Sequence, residues 1–193
     1  LAEIEDIIAH NRDVVVIIDE AYADFSGSSA LELTKEYDNV LIVQTYSKSR
    51  SLAGMRIGYA IGNPELIRAM NDVRYSYNSY PMTRLSVVLG AAALEDEAYF
   101  RETVAKVIET REWTKKELKR LGFSFRDSQT NFIFATHESV PAQTIFDVLR
   151  EKHIFVRHFG QKRIENYLRI SIGTQAEMER FIRETEQIIA QNR

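Results

Sequence analysis

Residues Thr45 to Gly58 read Thr-Tyr-Ser-Lys-Ser-Arg-Ser-Leu-Ala-Gly-Met-Arg-Ile-Gly, and the interpretation of the whole chain starts from this stretch. Lys48 lies in a serine-rich turn directly after the β-branched segment 40–45, and Arg56 follows at the start of a second apolar segment. This is a poor place to solvate a lysine charge. An amine held beside other cations or in a dry pocket loses its proton more readily and can then attack a carbonyl group.

The side chains around this lysine are suited to an anion. Ser47 and Ser49 offer hydroxyl donors, and the guanidinium of Arg56 offers a fork that matches phosphate. A reactive lysine beside a phosphate site indicates pyridoxal phosphate as the cofactor. The Ser-Lys dipeptide alone is typical of an ordinary surface loop with one solvated lysine, and only the longer string favours the cofactor site.

A second string, Asp19-Glu20-Ala21-Tyr22-x-x-Phe25, follows the continuous β-branched segment 14–18. Such a segment predicts a strand covered on both faces of a parallel sheet, which places Asp19 at its carboxyl end, where ligands bind in open α/β sheets. A carboxylate there can hold a protonated pyridine nitrogen, with Tyr22 reaching the ring oxygen. A turn or helix-capping Asp is the alternative. Glu20 is expected to be solvated or to support its neighbours.

The two strings resemble the T-x-S-K-x-x-x-L-A-G-x-R-x-G segment and the upstream motif of the histidinol-phosphate aminotransferase group, within the fold-type I enzymes that use pyridoxal phosphate. The resemblance covers essentially the whole chain. It implies that Lys48 binds the cofactor covalently and moves a proton during catalysis. It also implies that Asp19 keeps the pyridine ring protonated, that Tyr22 contacts the ring oxygen, and that Ser47 and Arg56 bind the cofactor phosphate.

Three residues of the second half are candidates for substrate binding. Arg169 lies in the alternating strand segment 167–172, where a charge must face solvent or be paired. The resemblance matches it to an arginine that binds the substrate carboxylate or phosphate, and matches Arg157 to a second such arginine. Asn131 matches the asparagine of an S-x-x-N-F element that begins at Ser128. The alternatives are a surface arginine or ion pair, and an asparagine that only satisfies backbone groups.

Alternating strands and helices predict an α/β fold. The resemblance implies the C-terminal part of a fold-type I pyridoxal-phosphate-dependent transferase, with a partial, mostly parallel sheet and its helices over residues 1–95. An amphipathic helix over 96–121 and a small α/β C-terminal domain complete the prediction for residues 96–193. Residues 83–94 predict a buried helix. The chain begins without Met and its motifs come early, so we expect a C-terminal piece of a longer enzyme that is inactive alone.

Composition narrows the class of protein and partner. The chain has 193 residues, no cysteine and a net charge of −3, and its 45% hydrophobic and 27% charged residues are ordinary globular values. These values predict no disulfide, no basic surface for nucleic acid and no membrane anchor, and we expect a cytoplasmic protein. The four histidines show no metal-ligand spacing, so no metal is expected.

The resulting hypothesis is amino transfer between histidinol phosphate and 2-oxoglutarate by a homodimer, and the resemblance implies glutamate and 2-oxoglutarate as the usual donor pair. Threonine-phosphate decarboxylases and aromatic or broad-specificity aminotransferases carry the same motifs and remain alternatives. A cofactor-binding sensor module without catalytic activity is the alternative outside enzymes.

Overall fold

The computed structural model describes residues 1–192. Arg193, the last residue of the predicted second domain, lies outside the described residues. The helices are α1 (Ala2–Ala9), α2 (Pro64–Tyr77), α3 (Arg84–Glu95), α4 (Glu97–Arg120), α5 (Ala142–Glu151) and α6 (Gln175–Gln191). The strands are β1 (Val16–Asp19), β2 (Val40–Thr45), β3 (Gly58–Gly62), β4 (Phe123–Phe125), β5 (Phe132–His137), β6 (Arg157–His158) and β7 (Leu168–Ser171).

The chain forms two compact units, Leu1–Arg101 and Glu102–Arg193. Their division lies inside α4. The sequence places the domain boundary near residue 96 and leaves the helix free to belong to either side, and this boundary stays a prediction. None of the helices in residues 1–192 is long and apolar enough to cross a membrane.

The first unit contains a three-stranded sheet in the order β1-β2-β3. β1 and β2 are parallel, with Asp19 opposite Val43, whereas β2 and β3 are antiparallel, with Thr45 opposite Gly58. The term mostly parallel therefore describes β1 and β2 but not β3. The loop 46–57 contains no crossover helix, so the chain returns beside β2 in the opposite direction.

Burial in the first unit follows β2. Val40 and Ile42 are fully buried, and Ile8 of α1 packs against them. The expectation that β1 is covered on both faces is wrong for this chain, because its residues alternate and the side chain of Ile17 is 60% exposed. The predicted burial of α3 is also wrong. Its buried residues are only Ser86 and Gly90, and its apolar side chains are exposed, namely Leu85, Val87, Val88, Leu89 and Leu94.

The second unit contains a four-stranded antiparallel sheet in the order β4-β5-β7-β6. Along β5 the even-numbered and odd-numbered residues alternate between half-buried and buried, so one face of the sheet forms the core. The core comprises Leu118, Ile133, Ile145, Leu149, Leu168, Ile170, Phe181 and Ile188 among others. α6 starts with a capping box between Thr174 and Glu177, and Gly122, with φ of 89°, follows α4 at the predicted C-terminal cap position.

Two buried cations on α4 anchor the loop that leads into β5. Arg111 Nη1 donates to the carbonyl of Thr130 at 3.1 Å, and Lys115 Nζ donates to Glu112 at 2.9 Å and to Asp127 at 2.7 Å. The hydrogen bond from Lys115 lowers the pKa of Asp127. Burial raises the pKa of Glu112, but the hydrogen bonds from Lys115 and Arg111 outweigh it, and the pKa of Glu112 is lowered overall.

This cluster predicts a loss of stability in acid. Because both carboxyl groups have lower pKa values in the folded chain than in the unfolded chain, their contribution is present at neutral pH and is lost as pH falls through their lowered folded pKa values. We expect Lys115→Met to flatten the dependence of the free energy of unfolding on pH between pH 6 and pH 2. Urea unfolding at a series of pH values between pH 6 and pH 2 measures this free energy.

Lys116 provides the matched control, since it is exposed on the same helix and forms no ion pair among residues 1–192. Lys116→Met should keep the wild-type pH dependence. An unchanged pH dependence in Lys115→Met would contradict the assignment.

Candidate functional site

Asp19 ends β1, and the next residue continues the register because the Glu20 N–H donates to the carbonyl of Val43 at 2.9 Å. The carboxylate of Asp19 is exposed, and its Oδ1 accepts a hydrogen bond from the N–H of Ala21 at 3.0 Å. Asp19 thus lies at the carboxyl end of the strand, as predicted, and it also shapes the turn that follows. The turn role leaves Oδ2 available for a ligand.

Lys48 lies in the turn after β2, and its Nζ is 5.4 Å from the centre of the Tyr22 ring. The two predicted strings are therefore brought together in space. The expectation that Lys48 is poorly solvated is wrong for this chain, because its side chain is exposed. Among residues 1–192 it makes no hydrogen bond or ion pair, so its amine is accessible and can react with a small molecule.

The loop 46–57 is closed by backbone hydrogen bonds at both ends. The N–H of Tyr46 donates to the carbonyl of Ile57 at 3.1 Å, and the N–H of Leu52 donates to the carbonyl of Tyr46 at 3.0 Å. Ser51 and Arg56 adopt left-handed backbone conformations, with φ of 56° and 54°. For residues with side chains this conformation is strained and persists only where the surrounding structure enforces it.

The loop carries four candidate cofactor-binding side chains, and three of them can still contact a ligand, namely Ser47, Lys48 and Arg56. Ser47 is half-buried, and its N–H donates to the Thr45 hydroxyl at 3.1 Å. Arg56 is exposed and uses one guanidinium nitrogen to hold the carbonyl of Ala53 at 2.9 Å. Ser49 is different. It is only 6% exposed and its hydroxyl donates to the carboxylate of Asp24, so its expected role as an anion donor is wrong.

α3 packs closely against this loop. A Cβ on Gly90 would lie 2.8 Å from Cδ1 of Ile57, so the absence of a side chain allows the approach. The Ser86 hydroxyl donates to the carbonyl of Met55 at 3.0 Å. Arg50 reaches the carbonyl of Ala93 at 2.6 Å. The helix thereby supports the loop that carries Lys48.

Glu20 is a residue whose contacts the sequence did not reveal. Its carboxylate accepts hydrogen bonds from the Ser29 hydroxyl at 2.7 Å, the N–H of Ala30 at 2.6 Å and Nε2 of Gln44 at 2.8 Å. The expectation that Glu20 supports its neighbours is confirmed, whereas the alternative that its carboxylate is solvated is wrong. No spacing in the sequence pairs Glu20 with Gln44, because side-chain hydrogen bonds between distant segments have no periodicity.

In the second unit, Arg169 of β7 lies opposite Phe134 of β5 on one side and opposite Arg157 of β6 on the other. Side chains that are directly opposite in a sheet point to the same face. The Arg169 guanidinium lies 5.4 Å from the Phe132 ring, and that of Arg157 lies 5.2 Å from the Phe159 ring. The two arginines therefore share an aromatic-lined face of the sheet, and neither forms an ion pair within residues 1–192.

The electrostatics of this face favour an anion. Like charges directly opposite each other destabilise a sheet, and an anion between them relieves the repulsion. The Nε of Arg169 is buried and has no hydrogen-bond partner among the described residues, and such a donor is costly unless a ligand satisfies it. Arg157 is exposed, so its guanidinium is more accessible than that of Arg169.

Asn131 immediately precedes β5, and its carbonyl accepts the N–H of Ile172 at 2.9 Å. The Ser128 hydroxyl donates to the carbonyl of Phe132 and orders the preceding turn. A backbone role for Asn131 is thus present, and the substrate role of its side chain stays a prediction. Within residues 1–192 no three His, Cys, Asp or Glu side chains form a group that could hold a metal ion.

Comparison with known proteins identifies a matching family and similar proteins. Residues 1–184 match the family model described as aminotransferase class I and II. The histidinol-phosphate aminotransferase of Brachyspira hyodysenteriae is 51% identical over 190 residues, which cover 98% of this chain and 54% of that protein. That of Clostridium acetobutylicum is 50% identical over 190 residues, with the same coverage. The chain therefore spans about half the length of the curated relatives it matches.

Solved structures show the same fold. The histidinol-phosphate aminotransferase of Sinorhizobium meliloti in complex with pyridoxal-5'-phosphate has a TM-score of 0.82 at 28% identity, over 97% of this chain and 53% of that one. A putative histidinol-phosphate aminotransferase of Erwinia carotovora atroseptica has a TM-score of 0.85 at 26% identity, over 97% and 54%. The fold is thus α/β, the C-terminal part of a fold-type I transferase, and the chain belongs to the class I and II aminotransferases.

Proposed function

We propose that the protein is a pyridoxal-phosphate-dependent aminotransferase that moves an amino group reversibly from histidinol phosphate to 2-oxoglutarate, which becomes glutamate while histidinol phosphate becomes the corresponding ketone. This chain supplies part of its active site. The observation that carries the proposal is the exposed amine of Lys48 over the ring of Tyr22, in a loop whose sequence matches the family. Relatives named histidinol-phosphate aminotransferase at about half identity support the substrate.

The residues present fit this cofactor. Lys48 provides a primary amine without a hydrogen-bond partner among the described residues, and Asp19 provides a carboxylate at the end of β1 with one oxygen not used by the turn. Ser47 and Arg56 provide a hydroxyl and a guanidinium in the same loop as the amine. When bound, pyridoxal phosphate supplies an aldehyde and an electron-withdrawing ring, which allow an amino group to be transferred.

Each candidate site residue of the first unit then has a chemical role. The amine of Lys48 would hold the cofactor, and the same Nζ would move the proton at the substrate Cα as general base and acid. The charge of the Asp19 carboxylate would keep the ring nitrogen protonated. Tyr22 would contact the ring oxygen, and Ser47 and Arg56 would bind the phosphate.

In the second unit, Arg169 binds the anionic end of the substrate, which is the phosphate of histidinol phosphate in one half-reaction and a carboxylate of glutamate in the other. Arg157 contributes a second guanidinium to the same face of the sheet. Among residues 1–192 the Nε of Arg169 has no hydrogen-bond partner and Arg169 forms no ion pair with an acid, and both observations support this assignment. Asn131 is proposed as a further polar contact to the substrate. A homodimer in the cytoplasm remains part of the proposal.

The test of the proposal is reductive trapping. The chain, and the longest form of the protein that its source makes, are incubated with pyridoxal phosphate and reduced with borohydride, and the modified lysine is mapped by mass spectrometry. We expect the label at Lys48 in the longer form. Lys48→Ala should abolish it, whereas Lys162→Ala, at another exposed loop lysine, should retain it.

Labelling spread over surface lysines, or none in the longer form, would show that the proposal is wrong. Labelling of the longer form alone would show that attachment needs residues beyond this chain. A panel of amines then decides the substrate. Preference for histidinol phosphate supports the proposal, and preference for threonine phosphate or aromatic amino acids favours the alternative enzymes.

A further inference from the structure

Two side-chain bridges join the segment that carries Tyr22 to the segment that carries Lys48. Gln44 Nε2 donates to Oε2 of Glu20 at 2.8 Å, and the Ser49 hydroxyl donates to Oδ2 of Asp24. In each segment the two bridging residues flank the residue of the candidate site. The contact between Tyr22 and Lys48 is thus held on both sides.

The Glu20 bridge is fixed in orientation. Glu20 also accepts hydrogen bonds from the Ser29 hydroxyl and the N–H of Ala30. The amide of Gln44 cannot turn over without loss, because its Oε1 accepts a hydrogen bond from the hydroxyl of Tyr59. The amide nitrogen therefore faces the carboxylate. A network in which every member is satisfied holds one geometry.

The Asp24 bridge is protected from water at its donor. Ser49 is 6% exposed, and Asp24 lies in the short 3₁₀ turn Ala23–Phe25 that follows Tyr22. A hydrogen bond from a buried hydroxyl to a carboxylate is strengthened by the low local dielectric, and losing the acceptor leaves the hydroxyl unsatisfied. Neither Glu20 nor Asp24 forms an ion pair with a residue of 1–192. The interactions of these carboxylates between the two segments are therefore the hydrogen bonds from Gln44 and Ser49.

We infer that Glu20 with Gln44, and Asp24 with Ser49, are positioning pairs that hold the Tyr22 ring over the amine of Lys48. In this role the pairs act through the placement of Tyr22 and Lys48 and not on the reacting atoms themselves. They fix the direction from which the amine meets a carbonyl carbon or a substrate Cα, and a displacement of about 1 Å at such a group costs up to about a hundredfold in rate. The inference rests on the proposed role of Lys48.

The first measurement uses the cofactor-free chain. Because an aromatic ring shifts the NMR resonances of groups above its face, the ε-methylene resonance of Lys48 reports its position over Tyr22, and Tyr22→Leu gives the value without the ring. We expect Ser49→Ala and Asp24→Ala to move the resonance at least halfway to that value. Asp24→Asn should keep the wild-type position, since its amide oxygen still accepts the hydroxyl.

The matched control is Thr34→Ala, which also removes a hydroxyl hydrogen bond in the first unit, from Thr34 to the carbonyl of Leu31 at 2.7 Å. It should leave the Lys48 resonance unchanged. A wild-type resonance in Ser49→Ala would overturn the inference. A variant that fails to fold loses all dispersed resonances, and Asp24→Asn, which keeps the bridge, distinguishes that case.

The second measurement uses the longest natural form of the protein, loaded with cofactor. We expect Ser49→Ala to lower kcat about tenfold or more with KM for the amine nearly unchanged, and Asp24→Asn to restore kcat. A resonance that moves while kcat stays at the wild-type value would also overturn the inference. If the wild-type protein takes up no cofactor, the proposed function fails and the positioning role falls with it, and the NMR result still reports the contact itself.

Discussion

Leu149→Ala is expected to destabilise the second unit by about 2–5 kcal/mol, since it removes a fully buried side chain and leaves a cavity. Leu149 lies on α5 and belongs to the core that packs against β5 and β7. The core is built of Leu, Ile, Phe, Met, Val and Ala side chains, and we expect them to relax only partly into the space. The cost therefore exceeds the transfer free energy of the removed methyl and methylene groups.

The measurement is urea unfolding followed by tryptophan fluorescence. Trp113 is the single tryptophan of the chain and packs against the core of the second unit, so its emission reports this unit. Phe155→Ala is the matched control. Phe155 is 76% exposed, and its removal should change the free energy of unfolding by roughly 0.5 kcal/mol or less although more atoms are lost. Equal losses in both variants would contradict the assigned core.

The regular elements follow from local sequence. The predicted strand 40–45 has the bounds of β2, and the predicted helix over 96–121 differs from α4 by one residue at each end. A β-branched run and a long amphipathic period are strong local signals, since both states need a particular spacing of apolar side chains. The direction of β3 was not contained in such a signal, because it depends on how the loop 46–57 folds.

Burial was predicted less well than secondary structure. The apolar pattern of α3 and β1 correctly identifies side chains that are costly to leave in water, yet Val87, Val88 and Ile17 are exposed in this chain. Hydrophobicity indicates that a surface favours contact, and it carries no information on which segment provides that contact.

In the candidate site, too, local structure was predictable from the sequence and burial was not. That Asp19 and Lys48 each follow a strand could be read from the sequence, and the closeness of Tyr22 and Lys48 agrees with that reading. The exposure of Lys48, and the bridges from Glu20 and Asp24, could not be read. They depend on side-chain rotamers and on pairing between segments, for which a single sequence offers no periodic signal.

Arg169→Gln is expected to weaken binding of the anionic substrate by about 2 kcal/mol or more, which corresponds to roughly 30-fold. The guanidinium is partly buried beside Phe132 and has an unsatisfied Nε, so a phosphate or carboxylate there gains charge-assisted hydrogen bonds that glutamine cannot replace. Arg157→Gln should cost less, about tenfold or below, because Arg157 is exposed and screened by water. Calorimetric titration of the wild type and both variants with inorganic phosphate and with the substrate measures the two losses of affinity.

The same pair gives a second readout that does not depend on catalysis. Without an anion, Arg157→Gln removes a like charge directly opposite Arg169 and should raise the stability of the second unit by about 0.2–1 kcal/mol. Phosphate should then stabilise the wild type more than this variant. Arg183→Gln, at an exposed arginine of α6, should change neither quantity. If Arg183→Gln weakens anion binding as much as Arg169→Gln does, binding reflects the general positive charge of the unit, and the paired arginines of β6 and β7 have no special part in it.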